Sequence, residues 1–263
     1  MGLLTNLWRN VFAPQSQTTL KPAICWGTIS QAKEFALQGD STRHWAHAWI
    51  RRYMEPLPLS NLTVLDAGSG LSNPLLDWYR TQVRHCYLVE FLAEPSTIGN
   101  VTIVKADLEK GIPLPDESID VITSASSIEH LSADGQVLFM REAERLLRPK
   151  GIVVMSVSYI LGLNAYALSV LSRDPALINR GCGIFARLDL RQMLEAAPRL
   201  KCPAPVRWEL FPGFDGFADQ SLAANPDIIF DHVRSFGDVH CLPETDAMAL
   251  RWAELGIYLT KRP

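Results

Sequence analysis

The sequence predicts an α/β fold with a mostly parallel sheet, and two patterns support this class. Short apolar runs of strand length recur along the chain, each ends near a polar or acidic side chain, and helical patterns lie between them. The first of these runs passes through Asp66 into a turn that contains Gly68 and Gly70. Strands that alternate with helices form parallel sheets, and glycines allow a backbone to turn tightly against a ligand.

The first strand and its turn carry the most informative residues. Residues 62–65 predict a buried parallel strand, and residues 73–79 can begin the helix that follows the turn. The third glycine of the dinucleotide fingerprint is missing here. The carboxylate of Asp66 would repel a pyrophosphate, and it suits a ligand that presents hydroxyl and ammonium donors. S-adenosylmethionine has that chemistry, so we expect it as the cofactor.

The second and third strands deliver further polar residues to the same edge. The second strand, 86–89, closes at Glu90. An acid about 20 residues beyond the glycine turn is placed to accept both ribose hydroxyl protons. The third strand, 101–104, is followed by Asp107, which could accept from an adenine amino group, and by Leu108, which would cover the ring.

The remaining strands complete the predicted sheet. The fourth strand, 119–124, leads into Glu129-His130-Leu131, and a helix then ends before the fifth strand, 152–157. A sixth strand is predicted at 207–211 and a last one at 256–260. Helices outside this series are predicted at 42–54, where Trp45 and Trp49 share one face, and at 189–196.

At these residues the chain resembles the class I S-adenosylmethionine-dependent methyltransferases, in the branch that includes ubiquinone, menaquinone and natural-product enzymes. The resemblance covers about residues 61–158; its first motif is acid-x-Gly-x-Gly-x-Gly, in which Ser72 replaces the last glycine. It implies a Rossmann-like, seven-stranded, mostly parallel sheet with helices on both faces and an antiparallel last strand. Its acid-rich fourth strand maps to Asp120. The implied cofactor contacts are Asp66, Gly68, Ser69, Gly70, Glu90, Phe91, Asp107, Leu108, Ser124 and Ala125.

Three candidate site residues, Asp66, Glu90 and His130, also have a purely structural alternative. Asp66 could cap the glycine turn or the helix, and Glu90 alone could be a solvated strand end, although the apolar Phe91 and Leu92 after it suggest shielding. His130, at the mouth of the fourth strand, is the best candidate for a catalytic base by topology. It could instead satisfy a backbone carbonyl.

Composition favours a small-molecule substrate. The formal net charge of -3 and the absence of a basic run with interleaved aromatics argue against a nucleic-acid partner. The cysteines Cys25, Cys86, Cys182, Cys202 and Cys241 form no Cys-x-x-Cys pair, which predicts reduced thiols and a cytoplasmic location. No metal site is expected, because Asp231-His232 and His240-Cys241 lack a regular ligand spacing.

Three segments lie outside this core. We predict a helical extension at 1–56 and a methyltransferase domain at 57–263 with substrate-side insertions at about 159–188 and 212–251. The uncharged run 152–172 is read as strand, loop and helix rather than an integral membrane span, because polar residues interrupt it. The segment 212–251 is expected to close over the acceptor, and the alternative is a fixed structural insertion or a subunit contact. One apolar face of an N-terminal helix is predicted from Leu3, Leu4, Leu7, Trp8, Val11 and Phe12. We expect this face to pack on the core or on a second subunit in a homodimer, and a membrane-surface anchor is the alternative.

The sequence therefore predicts a methyltransferase that acts on a small-molecule acceptor, most plausibly on oxygen, in a secondary-metabolite, cofactor or glycan pathway. Two alternatives stay open: a same-fold enzyme that transfers another group from the sulfonium, and a non-catalytic S-adenosylmethionine-binding partner subunit.

Overall fold

One sheet organises the structure, which is a computed structural model that describes residues 24–26, 41–68, 70–71, 73–160, 190–204, 208–212 and 252–263. The strands are β1 (Ile24–Trp26), β2 (Thr63–Ala67), β3 (His85–Glu90), β4 (Ser96–Ile98), β5 (Val101–Lys105), β6 (Ile119–Ala125), β7 (Leu147–Ile160), β8 (Leu200–Lys201), β9 (Trp208–Pro212) and β10 (Trp252–Lys261). The helices are α1 (Ser41–Met54), α2 (Pro74–Gln82), α3 (Ala133–Leu146) and α4 (Leu190–Ala196), with one-turn 3-10 helices at Leu59–Asn61 and Ile128–His130.

The strand order is β1-β9-β10-β7-β6-β2-β3-β5-β4, and β8 pairs with β10. The five central strands, from β5 to β7, are parallel, so their carboxyl ends meet at one edge. From β2 the chain continues first to β3 on one side and later returns to β6 on the other side. Ligands of open α/β sheets bind at the carboxyl edge where the order reverses in this way.

The predicted count of seven strands is wrong for the described residues, which form ten. All seven predicted strands are present, and the last one, β10, is antiparallel to β7 as expected. The three additional strands are β1, β4 and β8, which have two or three residues each. Strands of this length show no period-two pattern in the sequence. β7 is also longer than predicted, since it begins at Leu147 instead of residue 152.

Two apolar cores lie on opposite faces of the sheet. In β2, Val64 packs in a cluster with residues of α1 and α2, whereas its neighbour Leu65 packs in a cluster with residues of α3 and α4. Successive strand residues point to opposite faces, so α1 and α2 cover one face and α3 and α4 cover the other.

Helix α1 is fixed against the last strand. The Trp49 indole Nε1 donates to the Ile257 carbonyl at 3.2 Å, and Trp49 is 1% exposed. A Cβ atom at Gly256 would overlap the Trp49 ring, so the absence of a side chain there makes room for the indole. Residues of the predicted 1–56 extension therefore belong to the core, although the domain boundary itself stays a prediction.

Arg145 links the last turn of α3 to the loop before β6 through hydrogen bonds and ion pairs. Its guanidinium contacts Glu142 at 2.7 Å and Asp116 at 2.6 Å, and it donates to the carbonyls of Ile112 and Leu114. Arg145 lowers the pKa of the Glu142 carboxyl through this bond. The five-donor guanidinium thus joins two segments that are about thirty residues apart in sequence.

None of the helices in the described ranges has the length and apolar character that crossing a membrane requires. The first part of the uncharged run 152–172 is strand β7, as predicted. The residues 161–172, the amphipathic segment 3–12 and the segment 213–251 lie outside the described residues.

Candidate functional site

The carboxyl ends of β2, β3 and β6 form a common edge at the point where the strand order reverses. Asp66 of β2 is in register with Leu88 of β3 and with Thr123 of β6. The residues that follow these three strands therefore lie side by side, and they include most of the predicted site residues.

The glycine turn after β2 has the geometry that the sequence predicts. Gly68 and Gly70 have φ angles of 73° and 85°, in the left-handed region that side chains rarely adopt. The Gly68 N–H donates to the Val89 carbonyl at 3.0 Å. A Cβ atom at Gly68 would lie 3.1 Å from Ser127 Cβ, whereas one at Gly70 would meet nothing within 4 Å. Gly68 is thus constrained by both conformation and space. Ser69, between them, lies outside the described residues.

Glu90 lies directly beside this turn. Its Oε1 accepts the Gly70 N–H at 2.5 Å, which joins residues that are 20 positions apart. Burial raises the pKa of the Glu90 carboxyl, and the Gly70 bond partly offsets the rise. Glu90 is half-buried, whereas the two apolar residues after it, Phe91 and Leu92, are 60% and 86% exposed. They leave an apolar surface open next to the carboxylate.

The start of α2 fixes the other side of the turn. The Asn73 Oδ1 accepts the Leu76 N–H at 2.8 Å and caps the helix, while its Nδ2 donates to the Gly70 carbonyl at 2.7 Å. Pro74 occupies the first helical position, where no N–H is needed. The pair Asn-Pro is a sequence signal for a helix start, but the second bond, from the Asn73 side chain to Gly70, is visible only in the structure.

Asp66 is completely buried beneath the turn. It lies on the sheet face covered by α2, where its charge adds to the effect of burial in raising the pKa of the Tyr79 phenol and of the Cys86 thiol. The Tyr79 hydroxyl donates to Thr123 Oγ1 at 2.9 Å. Cofactor contact by Asp66 stays a prediction.

Leu108 and Asp107 differ in their relation to the turn. Leu108 is 9% exposed, and its Cδ1 lies 3.5 Å from the position of a Cβ on Gly68. The Asp107 carboxylate forms an ion pair with Lys110 at 3.0 Å and accepts the Glu109 N–H. The Lys110 bond lowers the pKa of Asp107. Leu108 is thus brought to the turn, while Asp107 is held by local partners.

Strand β6 is tied to β2 by serine hydroxyls. Ser124 Oγ donates to the Ala67 carbonyl at 2.9 Å, and both Ser124 and Ala125 are buried. Ser127 Oγ lies 2.7 Å from the Gly68 carbonyl and 3.1 Å from the Ala125 carbonyl. Sequence reasoning missed Ser127, and only its position just past a strand end could have suggested it.

His130 ends the one-turn helix Ile128–His130 that follows β6. It is half-buried, its N–H donates to the Ser127 carbonyl at 3.1 Å, and its Nδ1 is shielded from solvent. The adjacent Glu129 is 1% exposed. The structure thus brings the turn that carries His130 to the glycine turn through Ser127.

Asp120 lies at the opposite edge of the sheet. Its Oδ2 accepts the Thr63 N–H at 2.8 Å, and its Oδ1 contacts Arg148 at 2.8 Å. The acid that matches the family's fourth-strand motif therefore links the amino ends of strands and is remote from the candidate site.

Comparison with known proteins shows that this part of the chain is similar to methyltransferases. Residues 65–155 match the methyltransferase domain family. Two Mycobacterium tuberculosis proteins, each named "Probable S-adenosylmethionine-dependent methyltransferase", are 33% identical over 115 residues. The match covers 37% of this chain and 41% of the length of those proteins.

Solved structures share the fold. An S-adenosylmethionine-dependent methyltransferase from Mesorhizobium loti has a TM-score of 0.50 at 15% identity, covering 83% of this chain and 98% of its own. Phosphoethanolamine N-methyltransferase 2 of Haemonchus contortus, in complex with phosphomonomethylethanolamine and S-adenosylhomocysteine, has a TM-score of 0.50 at 14% identity, covering 82% of this chain and 52% of its own. The sequence-based prediction of a methyltransferase fold is therefore confirmed.

Proposed function

We propose that this chain is an S-adenosylmethionine-dependent methyltransferase that acts on a small molecule, with oxygen as the favoured acceptor atom. The observation that carries the proposal is the 2.5 Å bond between Glu90 and Gly70. This bond brings a half-buried carboxylate beside a glycine turn at the reversal point of a parallel sheet. The names of the relatives, and the S-adenosylhomocysteine bound by the Haemonchus contortus enzyme, agree with such a cofactor.

The residues at this edge fit the proposed cofactor. Glu90 has two carboxylate oxygens, so each of the two ribose hydroxyls can donate to a different oxygen. The exposed ring of Phe91 and the side chain of Leu108 are apolar surfaces suited to the two faces of an adenine. Asp107 is proposed to receive the adenine amino group in competition with Lys110. The buried Asp66, the backbone of residues 68–70, and residues Ser124 and Ala125 complete the proposed contacts.

Bound S-adenosylmethionine supplies a methyl group that its sulfonium has already activated. The protein then needs mainly to hold an acceptor in line with that methyl group, and such positioning contributes about 7–11 kcal/mol. We assign His130 the role of general base. Because its Nδ1 is shielded from solvent, Nε2 is the ring nitrogen that would take the proton from an acceptor hydroxyl.

The acceptor class rests on composition. A net charge of -3 disfavours a polyanionic acceptor, and the exposed Phe91 and Leu92 offer an apolar approach to the site. Membership of the ubiquinone, menaquinone and natural-product branch, a cytoplasmic location and a homodimer through the N-terminal segment stay predictions.

Calorimetry with S-adenosylhomocysteine tests the cofactor site. Glu90→Gln keeps the size of the side chain and removes its charge, so affinity should fall by about 1.5–3 kcal/mol. Glu94→Gln is the matched control, since Glu94 lies four residues further on, after the end of β3, and pairs with Lys105 on the surface. The charged form of Glu90 is the acceptor and burial raises its pKa, so affinity should weaken on acidification at a higher pH than for an ordinary glutamate.

Transfer of a labelled methyl group into a metabolite extract tests the reaction. The expected result is a labelled product heavier than its precursor by one methylene unit. In the calorimetry, equal affinities of Glu90→Gln and Glu94→Gln for S-adenosylhomocysteine would show that Glu90 does not contact the cofactor. Tight binding without any labelled product would favour the non-catalytic binding subunit instead.

A further inference from the structure

The turn after β6 holds its backbone in an unusual conformation. Ser126 has a φ angle of 49°, in the left-handed region, although it carries a side chain. Its N–H donates to the Ser156 carbonyl of the neighbouring strand at 3.1 Å, which holds the residue in place. Such conformations persist where the surrounding structure over-determines them, and they cluster at functional sites. The turn therefore fixes the direction in which the next residue, Ser127, points.

The Ser127 hydroxyl forms a hydrogen bond with the glycine turn. A hydroxyl has one proton, and the shorter of its two contacts is the 2.7 Å bond to Gly68, a residue 59 positions earlier in the chain. Gly68 is thereby held at both ends of its backbone: its N–H donates to Val89 and its carbonyl accepts from Ser127. Ser127 is 8% exposed, so solvent has little access to replace the bond.

The backbone of Ser127 holds a different element. Its carbonyl accepts the His130 N–H at 3.1 Å and so closes the one-turn helix that carries this histidine. One residue thus bonds the glycine turn through its side chain and the His130 turn through its main chain.

We propose that Ser127 is a positioning residue that couples the glycine turn to the placement of His130. The physical coupling concerns the ligand-free protein, whereas its effect on cofactor affinity rests on the proposed function. Ser127→Ala should loosen both turns together. It removes the hydroxyl that donates to the Gly68 carbonyl, and it keeps the Ser127 carbonyl that accepts the His130 N–H.

Hydrogen exchange of the ligand-free protein measures this coupling directly. In Ser127→Ala, exchange should rise about five- to tenfold in both segments 63–71 and 126–131, as expected for the loss of one buried hydrogen bond. Ser118→Ala is the control, since Ser118 Oγ also donates to a backbone carbonyl, that of Pro115, at the other edge of the sheet. It should leave both segments unchanged. A rise confined to 126–131 would overturn the coupling.

A second pair of variants guards against misfolding of the alanine variant. Threonine and valine have nearly the same shape, and only threonine keeps the hydroxyl. Ser127→Thr should behave as the wild-type protein and Ser127→Val should show the faster exchange of both segments. Any result in which these two variants behave alike would refute the role of the hydroxyl.

Affinity for S-adenosylhomocysteine is the functional readout. It should fall about five- to tenfold in Ser127→Ala and return in Ser127→Thr. If the wild-type protein fails to bind S-adenosylhomocysteine, the proposed function is wrong and hydrogen exchange still decides the coupling. If the wild type binds and Ser127→Ala binds equally well, the functional role of Ser127 is refuted.

Discussion

Replacement of Gly68 by alanine should separate two constraints that act on the glycine turn. The φ angle of 73° costs an alanine about 1–2 kcal/mol. The new methyl group would also lie 3.3 Å from Ser127 Oγ and 3.1 Å from Ser127 Cβ, closer than most such contacts. If Ser127 moves away, its bond to the Gly68 carbonyl is lost, which adds about 1 kcal/mol. The expected loss of folding free energy is therefore about 2–3 kcal/mol.

Gly99→Ala is the matched control. Gly99 has a φ angle of 61° and nothing within 4 Å of a new Cβ, so its substitution reports the conformational cost alone. Urea unfolding should show the larger loss for Gly68→Ala, and only that variant should lose affinity for S-adenosylhomocysteine. Equal losses of stability, together with unchanged affinity in Gly68→Ala, would refute the idea that space beside Ser127 constrains the turn.

Three further substitutions test packing, charge and catalysis. Gly256→Ala should lower stability by about 1–3 kcal/mol because the methyl group overlaps the Trp49 ring, and thermal unfolding should show a smaller loss when Trp49 is also replaced by leucine. Arg145 lowers the pKa of Glu142 in the folded state, so the pair stabilises the protein at neutral pH, and this contribution is lost as pH falls through that pKa. Glu142→Gln should therefore be less stable than the wild type at neutral pH, and the difference should shrink in acid. His130→Ala should reduce turnover by about 10²–10⁴-fold with nearly intact cofactor affinity, and should remove the rising limb that a general base gives to the pH-rate profile.

Each of these expectations has a contrary result. If the stability losses of the Gly256 and Trp49 substitutions simply add, overlap between the new methyl group and the Trp49 ring is not the cause of the loss. A stability difference for Glu142→Gln that does not change with pH would mean that shape rather than charge is responsible. Full activity of His130→Ala would make this histidine structural.

The sequence was most informative where strands are long and end in characteristic residues. The apolar runs of β2, β3, β5 and β6 have the length at which a hydrophobic pattern is visible, and the turn at Gly68 follows a strand that is unambiguous. The position of Glu90 beside the glycine turn followed from βαβ topology. β1, β4 and β8 are held by pairing with neighbouring strands, which short segments do not reveal in their own composition.

The environments of side chains were harder to predict than their positions along the chain. Phe91 and Leu92 are apolar and directly follow a largely buried strand, yet both side chains are largely exposed, which the sequence did not predict. Asp120 resembles a site acid in a motif, yet it stands at the first residues of β6 and so at the remote edge. Ser127 became visible only when the distance across the sheet was known.

The bond between Trp49 and Ile257 joins residues 208 positions apart, and this separation bears on how the molecule folds. Loop closure over such a distance is entropically costly, and contacts of this kind form late. During synthesis on the ribosome, α1 and the strands β2, β6 and β7 that it also packs against emerge long before β10, so the Trp49 indole lacks the last strand for most of that time. We therefore expect β10 to dock last, and the intermediate that precedes its docking to be the species most prone to aggregation.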